Sequence, residues 1–343
     1  MVTFPYNTTD FAFTLEKLFI NFSTENNSYF TLEIVIKYYE FYSDVEKTKT
    51  LDYKIPVFNG EASEYFGDKI HRNLENLISD FVAGFQVKTC LVTFTAKEID
   101  IADDTVVETI TLTDVKFIPG KRPKKINNNI GLLHENSKYC RITPKGSFQI
   151  NFLLSADDHV LKIYKNETEV SSTEITATTL NAIYAVRFSA ETYNAKRGDV
   201  FKIEIDGTTI FKEIGVIPAT THSHNVNFTN FNKLISSLEF TGEYSFPDKY
   251  KQLSQNYKRN AVDVVEIIET TEENFIKIDT GWILKDQVVL INELLNSKKV
   301  EIKNLEGENF EAAPTTKKRT GFDSTKFLYS YQLEFRINKR SDA

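Results

Sequence analysis

Tyr329-Ser330-Tyr331-Gln332-Leu333-Glu334-Phe335-Arg336-Ile337 alternates apolar and polar side chains without a break. Successive side chains of a strand point to opposite faces, so this run reads as a half-buried strand and not as a helix. Two stretches upstream frame it: Phe240-Thr241-Gly242-Glu243, and Asp279-Thr280-Gly281-Trp282, which leads into an apolar segment at helical spacing. Further out, Phe30, Leu32, Ile34, Ile36 and Tyr38 take every second position, with Thr31, Glu33 and Lys37 between them. The chain holds 16 Tyr and 27 Phe against 13 Gly and 8 Pro, and aromatic and β-branched residues fit a pleated surface. The fold class expected is all-β with minor α: several sandwich- or barrel-like regions, with two short amphipathic helices packed on sheets.

Three regions follow from the pattern. In residues 1–118, strands are expected at 11–15, 30–38, 51–57, 87–94 and 106–117. Between them Ile70, Leu74, Leu77, Ile78 and Phe81 recur at helical spacing behind Asp68, with Gly84 after them, which predicts a capped helix over 68–83. The run Pro119-Gly120-Lys121-Arg122-Pro123-Lys124-Lys125-Ile126-Asn127-Asn128-Asn129 cannot bury itself, so 119–130 reads as a linker. Residues 131–215 show short strands at 148–154, 160–164, 182–188, 200–205 and 209–214. The last two flank Asp206-Gly207, a tight-hairpin signal. An immunoglobulin-like sandwich is expected there, inserted between the flanking regions or standing as its own unit, without the Cys and Trp marks of a true immunoglobulin domain. Region 216–343 carries strands at 238–244, 262–269, 274–279, 300–303 and 327–337. It also carries a helix over 286–296, capped by Asp286, whose Val288, Ile291, Leu294 and Leu295 share a face.

Charge and composition exclude several classes. A formal charge of −7 disfavours general nucleic-acid binding. Cys90 and Cys140 are too few for a disulfide scaffold and read as buried thiols. No basic segment followed by an apolar one marks a secretory signal at the N-terminus, and no run is long and apolar enough to span a bilayer. Asn-X-Ser/Thr triplets at Asn7, Asn21, Asn26, Asn166 and Asn227 therefore read as composition rather than glycosylation.

Catalytic chemistry finds little purchase. His222-Ser223-His224 would place two imidazoles on one face of a strand, as a metal site could use, but no third ligand is identifiable. The carboxylate pairs Asp103-Asp104, Asp157-Asp158 and Glu272-Glu273 lie beside loops, where such pairs sit in water instead of converging as glycoside hydrolysis needs. There is no Gly-X-Ser-X-Gly elbow and no Gly-rich phosphate loop. No catalytic, cofactor-binding or metal-binding residue is assigned. Trp282, the only tryptophan, can stack on a sugar ring, but beside an amphipathic helix it is expected to plug the core. Two basic clusters, Lys121, Arg122, Lys124 and Lys125, and Lys317, Lys318 and Arg319, read as solvated loops or as contacts to an acidic neighbour, with DNA contact the least favoured. Tyr38-Tyr39-Glu40-Phe41-Tyr42 puts aromatics on both faces of its strand, so a partner is expected over Tyr39 and Phe41.

Three stretches carry a resemblance. They are Asn230-Phe231-Asn232-Lys233 running into Leu238-Glu239-Phe240-Thr241-Gly242, then Thr280-Gly281-Trp282-Ile283-Leu284 before a helix, then Tyr329 to Ile337. Together with Tyr53-Lys54-Ile55-Pro56-Val57-Phe58-Asn59-Gly60-Glu61-Ala62, the chain resembles structural proteins of tailed phages and prophages of Bacteroidetes, including crAss-like phages. The resemblance covers roughly 50–80 and 225–340, and leaves 131–215 unmatched. It implies a virion component of the tail, neck or baseplate, made in the host cytoplasm. Such a component acts by assembly with copies of itself and with neighbouring virion proteins, and needs no cofactor. The alternatives are a module of 131–215 that binds a host-surface glycan or receptor, and, more weakly, a glycan-degrading tail enzyme.

Overall fold

A computed structural model describes residues 1–39, 46–74, 85–87, 89–122, 126–127, 130–133, 139–176, 183–259, 262–298, 300–304, 307–316 and 328–337. Strands dominate, with two α-helices, Gly67–Asn73 and Val288–Asn296, among the described residues. The described residues form three hydrophobic cores, the first of which draws residues from all three expected regions.

The first core lies under a five-stranded sheet in the order Ala12–Phe13, Val106–Ile118, Cys90–Asp100, Ser28–Tyr39, Glu46–Ile55. Ser28–Tyr39 buries every second residue, so Phe30, Leu32, Ile34, Ile36 and Tyr38 all point inward as their spacing requires. A small sheet of Val2–Thr3, Ile20–Ser23 and Glu61–Glu64, with the first helix, supplies Ile20, Phe22, Phe66 and Ile70 to the same core. That helix differs from the one expected over 68–83. Asp68 does not cap it; Phe66 is the N-cap, and Asp68 pairs with Arg72 one turn on at 3.1 Å. The helix ends at Asn73, and Leu74 is extended and buried. The Asn73 amide donates to the Lys69 carbonyl at 2.9 Å, and the Lys49 ammonium takes the Asn73 carbonyl at 2.8 Å. These bonds satisfy carbonyls that a longer helix would use. Leu77, Ile78 and Phe81 lie outside the described residues.

The second core is a sandwich. One sheet runs Ile126–Asn127, Ile130–Leu132, Ser147–Leu153, Ile183–Ser189, Phe85–Val87, and the other Tyr139–Ile142, Phe211–Val216, Val200–Ile205, Asp158–Lys165, Thr168–Thr176. Phe148, Ile150, Phe152 and Phe188 from one meet Leu161, Phe201, Ile203 and Ile214 from the other. The strand expected at 87–94 divides between regions: Phe85–Val87 pairs with Ile183–Ala185 of the sandwich, while Cys90–Asp100 belongs to the first sheet. Asp206-Gly207 does turn, with Gly207 at φ +70°, but within a longer loop in which Ile205 N–H bonds the Ile210 carbonyl, so no two-residue hairpin forms. Cys90 and Cys140 are both buried, one in each of these cores.

The third core sits in a sheet ordered Ile235–Phe240, His224–Thr229, Val300–Asn304, Asn309–Pro314, Gln332–Ile337, Val262–Asp279, Tyr244–Ser245. Its first and last strands are joined by Thr241-Gly242-Glu243 alone. Thr241 N–H bonds the Thr280 carbonyl (3.4 Å), Gly242 N–H the Asp279 carbonyl (3.2 Å), and Asp279 N–H the Glu243 carbonyl (2.9 Å). The sheet therefore curls until its ends meet, as a barrel does to remove its edges. The second helix packs Leu290, Ile291 and Leu294 into this core. A 3-10 turn, Lys285–Gln287, precedes it, and the Gln287 side chain accepts from Leu284 N–H at 2.9 Å. Gln287 thereby closes the 3-10 turn and stands as the N-cap of the helix without a side-chain capping bond to it, while the side chain of Asp286, the expected cap, lies outside what is described.

The closure needs small residues. A Cβ on Gly242 would lie 2.6 Å from the Asp279 Cβ and 2.8 Å from its carbonyl oxygen. Gly281 has φ +64°, and a Cβ there would lie 2.3 Å from the Thr241 hydroxyl. Gly242→Ala must push strand backbones apart, and costs on the order of 1–3 kcal/mol of stability. Thermal unfolding checks this; Gly207→Ala, where a Cβ meets open space but φ is +70°, shows what backbone strain without a clash costs.

Ser147–Leu153 ties the regions together. Its even-numbered residues enter the sandwich, whereas Ser147, Gln149 and Asn151 face the third sheet through polar contacts. Gln149 N–H donates to Ser237 Oγ (3.3 Å), Asn151 Nδ2 to the Ile235 carbonyl (2.9 Å), and Asn225 Nδ2 to the Ser147 carbonyl (3.1 Å). Beside them the Glu239 carboxylate accepts from Thr143 N–H at 2.6 Å and Thr143 Oγ1 at 2.5 Å. Burial pushes the Glu239 carboxyl up, against the hydrogen bonds of Thr143 and Ser223. The native state then keeps this proton at pH values where the unfolded chain has lost it. Its contribution to stability is full below the ordinary carboxylate range and is lost as pH rises through the raised native value. Glu239→Gln, which cannot ionise, should flatten that fall in melting temperature with pH; parallel curves for the two proteins would refute the assignment.

Candidate functional site

Val262–Asp279 is an 18-residue strand, yet only its last five residues, Phe275–Asp279, pair with Gln332–Ile337. Before that point it leaves the barrel. Among the described residues its only partner there is Asp248–Arg259, matched from Arg259↔Val262 down to Asp248↔Asn274 with one bulge after Leu253. The 12 residues of Asp248–Arg259 reach roughly 40 Å at the rise of a strand. The result is a two-stranded arm, anchored at one end to the barrel.

The base of the arm is well held. Lys249 Nζ meets Glu334 at 2.6 Å and lies 4.0 Å from the centre of the Phe275 ring. Hydrogen bonding by Lys249, opposed by burial, holds the Glu334 carboxyl below its ordinary range. Arg336 pairs with Glu273 at 3.5 Å. Phe246 packs on Phe310, and Tyr244 on His224, with ring centres 5.9 and 4.5 Å apart.

Beyond the base, apolar side chains stand in water. Tyr250 is 62 % exposed, Leu253 58 %, Val265 66 %, Ile267 53 % and Ile268 58 %. Ile267 is matched with Ser254 and Val265 with Asn256, so Val265 and Ile267 share one face of the ribbon. Isolated two-stranded ribbons are marginal in water, and clustered exposed apolar surface marks a place where something docks. The arm is the feature of this molecule most at odds with life as a lone subunit.

The residues expected to meet partners fare differently. Lys121 is exposed. Arg122 is exposed too but already engaged within the chain: its guanidinium pairs with Glu16 at 2.6 Å, donates to the Phe11 carbonyl at 2.9 Å and covers the Phe13 ring. Tyr39 is half-buried and donates its hydroxyl to Glu46 at 3.2 Å. Phe41, Lys124, Lys125, Lys317, Lys318 and Arg319 lie outside the described residues.

His222 and His224 both lean on Tyr244, and His224 Nδ1 lies 2.9 Å from the His222 carbonyl. No group of three or more His, Cys, Asp or Glu among the described residues is arranged to hold a metal ion. Of the paired carboxylates, Asp103 bonds its own loop at Thr105, Asp104 accepts from Tyr29, and Asp157 accepts from Ser155. Glu98 is a buried acid with a packing role. Burial works to raise its carboxyl, but hydrogen bonds from Thr24, Ser28 and Asn26 outweigh that and hold it low.

Trp282 overturns its core reading. It is 65 % exposed, because Gly281 at φ +64° turns the chain before the helix. Arg141 of the sandwich donates to the Trp282 carbonyl, and Ile283, the next residue, fills the core position instead.

No protein-family model matches the chain, and none of the curated proteins compared with it matches either.

As the only tryptophan, Trp282 reports its own surroundings. Its fluorescence should peak where free tryptophan in water does and be quenched readily by iodide. Emission typical of a buried indole would contradict the exposed placement.

Proposed function

We propose that this chain is a structural subunit of a phage virion, in a tail, neck or baseplate ring or adaptor, and that it acts by associating with other copies and with neighbouring proteins. The resemblance in the C-terminal region supports the setting. The observation that carries the reading is the arm: a ribbon anchored by ion pairs and aromatic contacts at its base and lined with exposed Tyr250, Leu253, Val265, Ile267 and Ile268. Burying each of these side chains against a neighbour is worth about 1.5–3 kcal/mol, the scale for a large aliphatic or aromatic residue. Nothing of this kind is needed by an enzyme working alone.

A second reading rests on the sandwich. Tyr164, Val200, Lys202, Glu204, Phe211 and Glu213 line an open hollow of ≈ 850 Å³ on its outer face. Aromatic rings beside charged groups suit a glycan, which stacks its C–H faces and hydrogen-bonds its hydroxyls. Binding of the full chain to host polysaccharide, lost in Tyr164→Ala with Phe211→Ala, would establish it alongside assembly.

Sedimentation velocity tests the main reading. The full chain should form a discrete oligomer at micromolar concentration. A variant with residues 250–272 replaced by a short Asn-Gly turn should be monomeric while keeping its strand signal in circular dichroism. A full chain that stays monomeric at the highest concentration, or an armless variant that associates equally well, would overturn the reading.

A further inference from the structure

The two strands of the arm differ in charge. Asp248–Arg259 carries Lys249, Lys251, Lys258 and Arg259 against a single acid, Asp248, whereas 262–273 carries Asp263, Glu266, Glu269, Glu272 and Glu273 and no base. Within the ribbon two acids are matched with bases, Asp263 with Lys258 and Glu273 with Lys249, but Glu266 is matched with Gln255, Glu269 with Leu253 and Glu272 with Tyr250, and the bases Lys251 and Arg259 with Thr271 and Val262. Each strand also has an outer edge that pairs with nothing among the described residues. An uncovered edge of this length presents a row of backbone N–H and C=O groups ready for another strand. The arm thus has one basic edge and one acidic edge.

Resting on the assembly reading above, we propose that the arms of neighbouring copies join edge to edge, the basic Asp248–Arg259 edge of one copy pairing with the acidic 262–273 edge of the next. Two arguments select this occupant and this arrangement. Charge is the first. A two-fold contact would set like edges together, placing bases opposite bases or acids opposite acids, and like charges directly opposite one another destabilise a ladder. The head-to-tail contact sets opposite charges together. Strand direction is the second. Asp248–Arg259 runs from base to tip and 262–273 from tip to base, so arms that point the same way present antiparallel neighbours at every junction. A head-to-tail contact repeats from copy to copy and closes as a ring of arms if the rotation permits. In that ring every outer edge is paired, and the exposed apolar residues on the faces of each ribbon meet those of its neighbours.

Charge reversal separates this arrangement from assembly in general. Lys251→Glu with Arg259→Glu turns the first edge from a net charge of +3 to −1, and Glu266→Lys with Glu269→Lys and Glu272→Lys turns the second from −5 to +1, so that each variant carries two edges of one sign. Lys251, Glu269 and Glu272 are exposed, and none of the substituted residues is matched across the ribbon with a charged one, so both variants should keep the melting temperature of the parent. Each alone should weaken self-association at least tenfold by sedimentation velocity. An equimolar mixture should recover oligomers that contain both variants in alternation, seen by native mass spectrometry. If either variant assembles like the parent, or the mixture of folded variants stays monomeric, edge pairing is overturned. An armless variant that is monomeric would in that case leave assembly through the arm standing, whereas an armless variant that still associates would remove both.

Discussion

The closure of the third sheet is the constraint from which the rest of the molecule follows. Thr241-Gly242-Glu243 carries the chain from one end of that sheet to the other and bonds Asp279 and Thr280 across a gap that admits no Cβ. Asp279 also accepts from Gly281 N–H at 2.7 Å and from the Ser330 hydroxyl, while Thr280 N–H bonds the Tyr331 carbonyl at 2.9 Å. Three sequence segments far apart in the chain are thus knotted at one corner. With its ends joined, the barrel accommodates only the last turns of Val262–Asp279, so the remainder of that strand must go elsewhere. It goes outward, with Asp248–Arg259 as its only strand partner among the described residues.

The contacts between regions are built on a different principle. The barrel and the arm base use aromatic stacking and ion pairs, but the junction of the sandwich with the third sheet is polar. Both amide atoms of the Gln149 side chain, and the Oδ1 atoms of Asn151, Asn225 and Asn227, are buried without a hydrogen-bond partner among the described residues. Buried polar groups left unpaired cost on the order of 1–3 kcal/mol each. The apolar residues Leu133, Leu153, Ile183, Ala185, Leu234 and Ile235, which belong to the first core although they come from the other two regions, offset this cost. The three regions are therefore joined through one shared apolar junction beside a polar seam.

Where a strand buries one face, its residues announced it. Ser28–Tyr39 is readable to within two residues because burial on one side and water on the other forces alternation, whereas the single strand expected over 327–337 divides into Leu328–Tyr329, paired with Ile283–Leu284, and Gln332–Ile337. The arm was only half readable. Its second strand contains Val262-Asp263-Val264-Val265-Glu266-Ile267-Ile268 and was expected, though as a short element; Asp248–Arg259 was not expected. A ribbon with both faces in water has no buried side to impose a period of two, so Gln252, Ser254, Gln255 and Asn256 look like a loop. The Lys and Glu content of the two strands was visible, but that the basic and acidic runs lie side by side follows from the pairing. Trp282 misled for the reason that its neighbour Ile283 takes the core position, a choice set by the positive φ of Gly281. Arg122 is the surface base its composition suggests, but its partners Glu16 and the Phe13 ring, more than a hundred residues away in sequence, are set by the fold.

From composition and periodicity came the β-rich class, three apolar cores and the positions of most strands, since these depend on each residue's own side chain and its immediate neighbours. Which strand lies beside which did not come from there. Phe-Thr-Gly and Asp-Thr-Gly-Trp could be picked out as unusual, but their meaning is a distance between backbones that are some forty residues apart in the chain. The pairing that lays the basic run beside the acidic one, and the outward turn of Trp282, are likewise tertiary: the first is a match between two strands, and the second follows from the positive φ of Gly281 and the core position that Ile283 takes.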